Sequence, residues 1–395
     1  MKLMTFFKLL YIKYHKTDNN IVFFSSFDGH YSDSPKYISE KLHEISPNVK
    51  IVWLIESHRT SELPSYVIPA IKNTFAETFY YAKAGVVVDN VLCRKAAMLY
   101  NNTFLSLVMY RLYKWILRKD NQRCYTTWHG TPLKKMLVDQ VGSRLKDITT
   151  HNIEMIHGNK YTLEIMNHLM FEKMPMTLMG SPRNDVLLNA DFSKISQFKK
   201  ELKFPEGKKI LLYAPSFRSE GYKSDAERSG LNQLKEINIT QLCSVLHEKF
   251  GGEWCFVCRF HYHVEKLVDW NQLKSQYGDA IMNGNESDDM AEYLACTDIL
   301  LTDVSSCMYD FALTKKPCLV FFPDLNFYSS SERGLYEKIE DLPFPYTTSF
   351  TGLLDNISSF DEPKYVKKVE NMIARFGYVD DGASSERIVR YIFSK

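Results

Sequence analysis

Two stretches of this chain combine residue types that handle charge with spacings that put them at the ends of strands. In one, Thr302-Asp303-Val304-Ser305-Ser306-Cys307-Met308-Tyr309-Asp310-Phe311 follows the apolar run Asp298-Ile299-Leu300-Leu301. The run is short, apolar and ends at polar residues, which predicts a buried strand. Behind it Met308, Phe311 and Ala312 share one face, so a helix is expected there, capped by Ser305 or Ser306. A strand, a Ser-rich turn and a helix in that order make an anion site, because the helix start offers unpaired N–H groups and a partial positive charge. An ordinary capped helix accounts for the same pattern equally well. Asp310, one turn in, reads either as a ligand contact or as compensation of the helix dipole.

The other stretch, Thr127-Trp128-His129-Gly130-Thr131-Pro132-Leu133-Lys134-Lys135, has the same layout. A candidate strand through Tyr125 ends at Thr126 and Thr127. Thr131 is a good N-cap and Pro132 sits at the first expected helical position. His129 and Gly130 then lie in the turn, at the carboxyl end of a strand, where ligands bind in open α/β sheets. Imidazole titrates near neutral pH, so a histidine in such a turn is a candidate acid or base.

The elements that must position these turns follow a βαβ rhythm. Ile21-Val22-Phe23-Phe24, Ile51-Val52-Trp53-Leu54-Ile55 and Val86-Val87-Val88 read as parallel strands, with a helix over Pro35 to Ile45. A polar, lysine-rich stretch from Leu188 to Gly207 predicts a boundary. A second sheet is expected from Lys209 to Tyr213, Trp254 to Phe260, Ala280 to Met282, Ile299 to Thr302 and Cys318 to Phe322. Helices are expected over Ile239 to Lys249, Ser287 to Ala295 and Ser384 to Ser394. The expected fold class is α/β, with two Rossmann-like domains facing a central cleft. Residues 1–190 form the first domain, 205–380 the second, and 381–395 a helix crossing back to the first.

Several motifs together resemble the CDP-glycerol glycerophosphotransferase family, the teichoic-acid primases and polymerases. They are Thr127 to Lys134, Gly180-Ser181-Pro182-Arg183-Asn184-Asp185, Tyr213-Ala214-Pro215-Ser216-Phe217-Arg218, Arg259-Phe260-His261, the Thr302 to Phe311 block, Lys316-Pro317 and Arg333-Gly334-Leu335-Tyr336. They span roughly Val86 to Tyr346. One departure is that Tyr262 stands where the family usually has Pro. The resemblance implies a GT-B-like architecture and transfer of glycerol phosphate, or a related polyol phosphate, from a CDP-alcohol to a membrane-linked glycan, with release of CMP. It implies that His129 is the base on the acceptor-side domain. Arg259 and His261, at alternate positions after a strand, are expected to bind the donor's phosphates from the other domain. His263 shares that parity but lies beyond the motif. Ser305 and Ser306 are expected to hold the leaving pyrophosphate, and Arg218 to add a phosphate contact. Ser216, Thr302, Gly130, Thr131 and Asp310 complete the expected substrate contacts. Arg183 and Asp185 read as hinge or interdomain residues. The alternatives are a GT-B nucleotide-sugar transferase and a catalytically degenerate, membrane-associated binding protein; the presence of both His129 and His261 speaks against the latter.

Composition narrows the classes. The 395 residues suffice for two domains, and 45% hydrophobic with 24% charged residues is ordinary for a globular chain. A net charge of +2 argues against nucleic acid as a partner. The 8 Cys are scattered, which fits a reducing compartment, and the lone Cys255-x-x-Cys258 pair lacks two further zinc ligands. The chain lacks Asp-x-Asp, a Walker A pattern and Gly-x-Gly-x-x-Gly, so no cofactor or metal is expected. No run reaches the roughly 18–20 apolar residues of a membrane span. The aromatic, basic-ended segment 98–119, from Phe104 to Lys119 above all, reads as an interfacial helix that meets an anionic membrane surface. A core helix with a basic face is the plainer reading. The expected location is cytoplasmic, peripheral on the inner face of the cell membrane. The chain's length leans toward a primase or short-chain transferase.

Overall fold

The computed structural model describes residues 10–91, 121–136, 139, 153–169, 174–216, 231–261, 268–325, 328 and 334–394. The chain divides into two compact units. The first comprises Met1–His129, Leu145–Asp185 and Tyr378–Lys395; the second comprises Gly130–Arg144 and Val186–Gly377. The expected α/β class with two Rossmann-like domains is the one observed.

The first unit holds a sheet of β1 (Asp18–Ser25), β2 (Lys50–Ile55), β3 (Ile68–Ile71), β4 (Ala84–Asp89), β5 (Arg123–Thr126), β6 (Ile153–His157) and β7 (Met176–Leu178). Their spatial order is β3-β2-β1-β4-β5-β6-β7, and every pairing is parallel. This is the doubly wound order, which reverses direction between β1 and β4. Alternate residues face one core: Val22 and Phe24, Trp53 and Ile55, Val86 and Val88 are all buried. The Phe24 and Trp53 rings stack 5.5 Å apart. The helix Asp33–Ile45 lays Ile38 and Leu42 on this face, and the C-terminal helix Ser384–Ser394 adds Ile388, Val389 and Ile392.

The second unit repeats the plan with β8 (Lys209–Ala214), β9 (Trp254–Cys258), β10 (Ile281–Asn283), β11 (Ile299–Thr302), β12 (Cys318–Phe321) and β13 (Tyr346–Thr347). The order is β10-β9-β8-β11-β12-β13, again all parallel, with the reversal between β8 and β11. β11 and β12 are buried along their whole length, as strands covered on both faces must be. Helices Ile239–Phe250, Met290–Cys296 and Glu362–Phe376 are capped by Asn238, Asp289 and Asp361, whose side chains accept main-chain N–H bonds.

The structure departs from expectation in four places. The first unit's middle segment ends at Asp185, and the second unit takes up Gly130–Arg144. No helix follows His129 directly: Gly130 to Met136 is irregular, and Lys134 bridges Leu335 antiparallel. Lys135 N–H bonds the Gly334 carbonyl (3.0 Å) and Tyr336 N–H bonds the Leu133 carbonyl (2.9 Å), which draws this segment into the second unit. β9 stops at Cys258 because Phe260 N–H goes to the Asn285 side chain instead of a strand neighbour. Arg183 and Asp185 have partners within the first unit: Arg183 pairs with Asp33, and Asp185 accepts from the N–H groups of Ser384 and Ser385 at the start of the C-terminal helix. Segment 98–119 lies outside the described residues, as do Tyr262, His263 and Arg333.

Candidate functional site

In the first unit the candidate residues gather at the carboxyl ends of β1, β4 and β5, beside the point where strand order reverses. Ligands of doubly wound sheets bind in such crevices. β5 runs out at Thr126, and the Thr127 N–H bonds the Asp89 carbonyl at the end of β4 (2.8 Å). Trp128 then takes φ +53°, a left-handed conformation that is an outlier for a bulky residue. That turn presents His129, which keeps solvent-exposed surface. Its ring sits beside two aromatics, Trp128 at 4.3 Å and Phe27 edge-on at 5.8 Å between centroids.

His129 Nδ1 lies 2.9 Å from the main-chain oxygen of Asn90. A carbonyl only accepts, so Nδ1 carries the hydrogen. In the neutral ring Nε2 then holds the lone pair. Loss of hydration around the ring, the largest influence, lowers its pKa below 6.5; the Asn90 carbonyl and the Asp33 carboxylate oppose this, and Arg183 adds to it. At neutral pH the ring is therefore uncharged, with Nε2 able to accept a proton.

His157, at the carboxyl end of neighbouring β6, is a functional candidate that the sequence reading missed. It is fully buried, and neither ring nitrogen has a hydrogen-bond partner among the described residues. Burial, Arg183 and His129 hold its pKa well below 6.5. Its position two residues past the β6–β5 pairing of Met155 with Thr126 was the available signal.

In the second unit the candidates meet at the β8/β11 reversal. Asp303 Oδ1 accepts from the N–H of Ser216 (2.8 Å) and of Val304 (2.6 Å), tying the ends of β8 and β11 together. Ser305 and Ser306 are half-buried. Ser306 occupies the cap position of the helix Cys307–Ala312, but its side chain makes no capping bond. Its hydroxyl instead lies against Gly130: a β-carbon there would sit 2.7 Å from Ser306 Oγ, and Gly130 has φ +155°. Gly130 thus packs against the Ser-Ser turn, far from it in sequence, because it lacks a side chain.

Several residues expected to touch substrate have protein partners or are buried among the described residues. Arg259 sends Nη1 to the carbonyls of Gly284 and Ser287 (both 2.6 Å) and Nη2 to that of Asp288 (2.8 Å), with its guanidinium 4.5 Å from the Tyr293 ring centre. These bonds hold the 284–288 loop. Thr302 is fully buried and its hydroxyl donates to the Ala214 carbonyl (2.6 Å), so it braces β11 on β8. Thr131 is fully buried, which leaves no surface for a substrate. Gly130 acts through its missing side chain. Asp310 and Ser216 are also nearly buried, at 7% and 6% exposure, and Ser216 gives its N–H to Asp303. His261 is exposed just past β9, behind the buried Phe260. Arg218 lies outside the described residues. No group of three or more His, Cys, Asp or Glu arranged to hold a metal occurs among the described residues.

Comparison with known proteins extends the motif resemblance to nearly the full length. The chain is 29% identical to the teichoic acid poly(glycerol phosphate) polymerase of Staphylococcus epidermidis, over 96% of this chain and 52% of the relative. It is 27% identical to the teichoic acid glycerol-phosphate transferase of Staphylococcus aureus, over 98% of this chain and 96% of the relative. It spans about half the length of the polymerases from S. epidermidis and Bacillus subtilis that it matches. Among solved structures, a variant of the wall teichoic acid polymerase TagF soaked with CDPG superposes with a TM-score of 0.76 at 28% identity, covering 96% of this chain and 89% of that one. The family profile described as CDP-glycerol:poly(glycerophosphate) glycerophosphotransferase matches residues 5–394, and the chain belongs to that family.

Proposed function

We propose that this protein transfers glycerol phosphate, or a related polyol phosphate, from a CDP-alcohol to a hydroxyl of a membrane-linked glycan, releasing CMP. The observation that carries this reading is the bond between His129 Nδ1 and the Asn90 carbonyl, which leaves Nε2 as the acceptor in the neutral ring. In the proposed step Nε2 takes the proton of the acceptor hydroxyl. The acceptor oxygen forms a bond to the polyol-bearing phosphorus as the bond from that phosphorus to the bridging oxygen breaks. CMP leaves with the electron pair, and His129 returns its proton to the phosphate or to solvent. Positioning and charge stabilisation supply most of the acceleration in such transfers. His261, Ser305 and Ser306 are the donor-side candidates, the serines with half-buried hydroxyls at the β8/β11 reversal.

The test is CMP release from CDP-glycerol and a lipid-linked acceptor. His129→Ala should lose about 10²- to 10⁴-fold in turnover while binding the donor nearly as before. Turnover within a few-fold of wild type would remove His129 as the base. CMP release from CDP-ribitol but not from CDP-glycerol would reassign the donor, and release from neither would end the proposal. Peripheral membrane attachment through 98–119 belongs to the same reading. Among the described residues no helix is long and apolar enough to cross a membrane. Failure to float with anionic vesicles would sink that part.

A further inference from the structure

Behind His129 the first unit holds a connected buried polar cluster. Asn90 is fully buried. Its Nδ2 donates to Asp33 Oδ2 (2.6 Å) and Ser26 Oγ (3.0 Å), its Oδ1 accepts from Phe27 N–H (3.0 Å), and its main-chain oxygen holds His129 Nδ1 (2.9 Å). Asp33 Oδ1 in turn accepts from Ser34 N–H (2.6 Å) and from Arg183 Nη1 (3.3 Å). Asp33 and Arg183 are both more than nine-tenths buried. The path Arg183–Asp33–Asn90–His129 joins the turn after β1, the ends of β4 and β5, and the helical turn Pro182–Asn184.

The backbone is bent to build this cluster. Of the seven non-glycine residues with positive φ among the described residues, Phe27, Asp28, Asp33 and Trp128 belong to these turns. Backbone strain of this kind gathers where surrounding structure over-determines a functional geometry. Burying an aspartate and an arginine is costly and does not by itself argue for stability. The pair stands where its two charges act on His129 with opposite sign.

We propose that Asp33 and Arg183 are positioning residues that, through Asn90, orient the His129 ring and set its affinity for a proton. The inference rests on His129 being the base of the transfer. The described charged or titratable groups around His129 in its own unit are Asp33, Arg183 and His157; Asp89 at the end of β4 gives its main-chain oxygen to Thr127. The Asp33 carboxylate favours the protonated ring and the Arg183 guanidinium disfavours it. Removing either charge while keeping a polar side chain must therefore move His129 in opposite directions.

The experiment follows the His129 imidazole by NMR titration of the full chain, its signal assigned by its absence in His129→Ala, together with the pH profile of kcat/KM for CMP release. Asp33→Asn should lower the His129 midpoint, and the acid limb of kcat/KM with it, by about half a pH unit or more. Arg183→Gln should raise both by a similar amount, and the double variant should return toward wild type. Loss of structure alone would not produce opposite shifts that cancel. Single variants that move the midpoint in the same direction, or not at all, overturn the proposal. If Asp33→Asn does not fold, the required upward shift in Arg183→Gln decides alone. Opposite NMR shifts in a protein that releases no CMP from any CDP-alcohol would refute the transfer reading and leave this cluster's role intact. Normal CMP release with an unmoved midpoint would do the reverse.

Discussion

Arg259 and His129 both stand just past the end of a strand, yet what surrounds their polar atoms gives them different work. Arg259 has three N–H groups aimed at carbonyls of one loop, so truncating it would uncover those carbonyls and loosen the loop. His129 has one nitrogen tied down and the other left over. His157 has neither nitrogen bonded among the described residues, and that has a pH consequence. Its folded pKa lies well below 6.5, so below that pH the unfolded chain binds a proton that the folded chain refuses. Its contribution to stability is complete above 6.5 and is lost as pH falls toward the folded value, with a slope approaching about 1.4 kcal/mol per pH unit. His157→Leu should flatten the fall in urea-unfolding free energy between pH 7 and pH 5. At pH 7 it should cost no more than about 1 kcal/mol, because no hydrogen bond with the described residues is lost. Equal slopes in mutant and wild type would show that His157 is not the group that titrates.

At the scale of elements, the turn after each strand is shaped as much by distant segments as by its own residues. The segment after His129 carries helix-starting residues, but Leu133 is 2% exposed and its neighbours bond to Gly334–Tyr336. Tyr336 reinforces this: its hydroxyl accepts from Met136 N–H (3.2 Å) and donates to Asp139 (2.8 Å). The close approach of Gly130 to Ser306 belongs to the same docking. Gly130→Ala should lower stability by about 1–3 kcal/mol, from the clash and the backbone conformation together. Ser306→Gly in the same chain should restore part of the loss, since it removes the clashing atoms but not the φ strain. A thermal melt of Gly130→Ala that matched wild type would mean the two turns are not packed this way.

For the molecule as a whole, the C-terminal segment is built into the first unit although the second unit precedes it in the chain. Ile388, Val389 and Ile392 are 0–2% exposed on the first sheet's core face, Arg387 bonds the Met179 carbonyl, and Asp380 accepts from Ser181 N–H and the Asn184 amide. Burying three such side chains contributes about 5–9 kcal/mol. That is comparable to the whole stability of a domain, about 5–15 kcal/mol. Removing residues 378–395 should therefore unfold the first unit while the second keeps its sheet. Limited proteolysis read by mass spectrometry would check it, with new cuts expected within Asp18–Ser25 and none within Lys209–Ala214. Protection of β1 in the truncated chain would contradict the prediction.

Local composition by itself determined the longer strands, because four- to eight-residue apolar runs that end at turn residues have few alternatives, and ordered motifs determined the family. The helices over Ile239–Phe250 and Ser384–Ser394 were legible because their apolar residues recur at helical spacing. The short strands Ile68–Ile71, Met176–Leu178 and Tyr346–Thr347 were not, since two to four residues carry too little periodicity. At the site, residue type and spacing pointed to His129, Ser305 and Ser306 as candidates, but not to the carbonyl partners that the structure gives Arg259 and Thr302. They passed over Asn90, Asp33 and His157, and read Arg183 as a hinge. Which side chains are left with an unfilled hydrogen-bonding group depends on partners tens to hundreds of positions away. Only the tertiary structure, by bringing Asp33, Asn90 and Arg183 behind one imidazole, decides which nitrogen of His129 is free to take a proton.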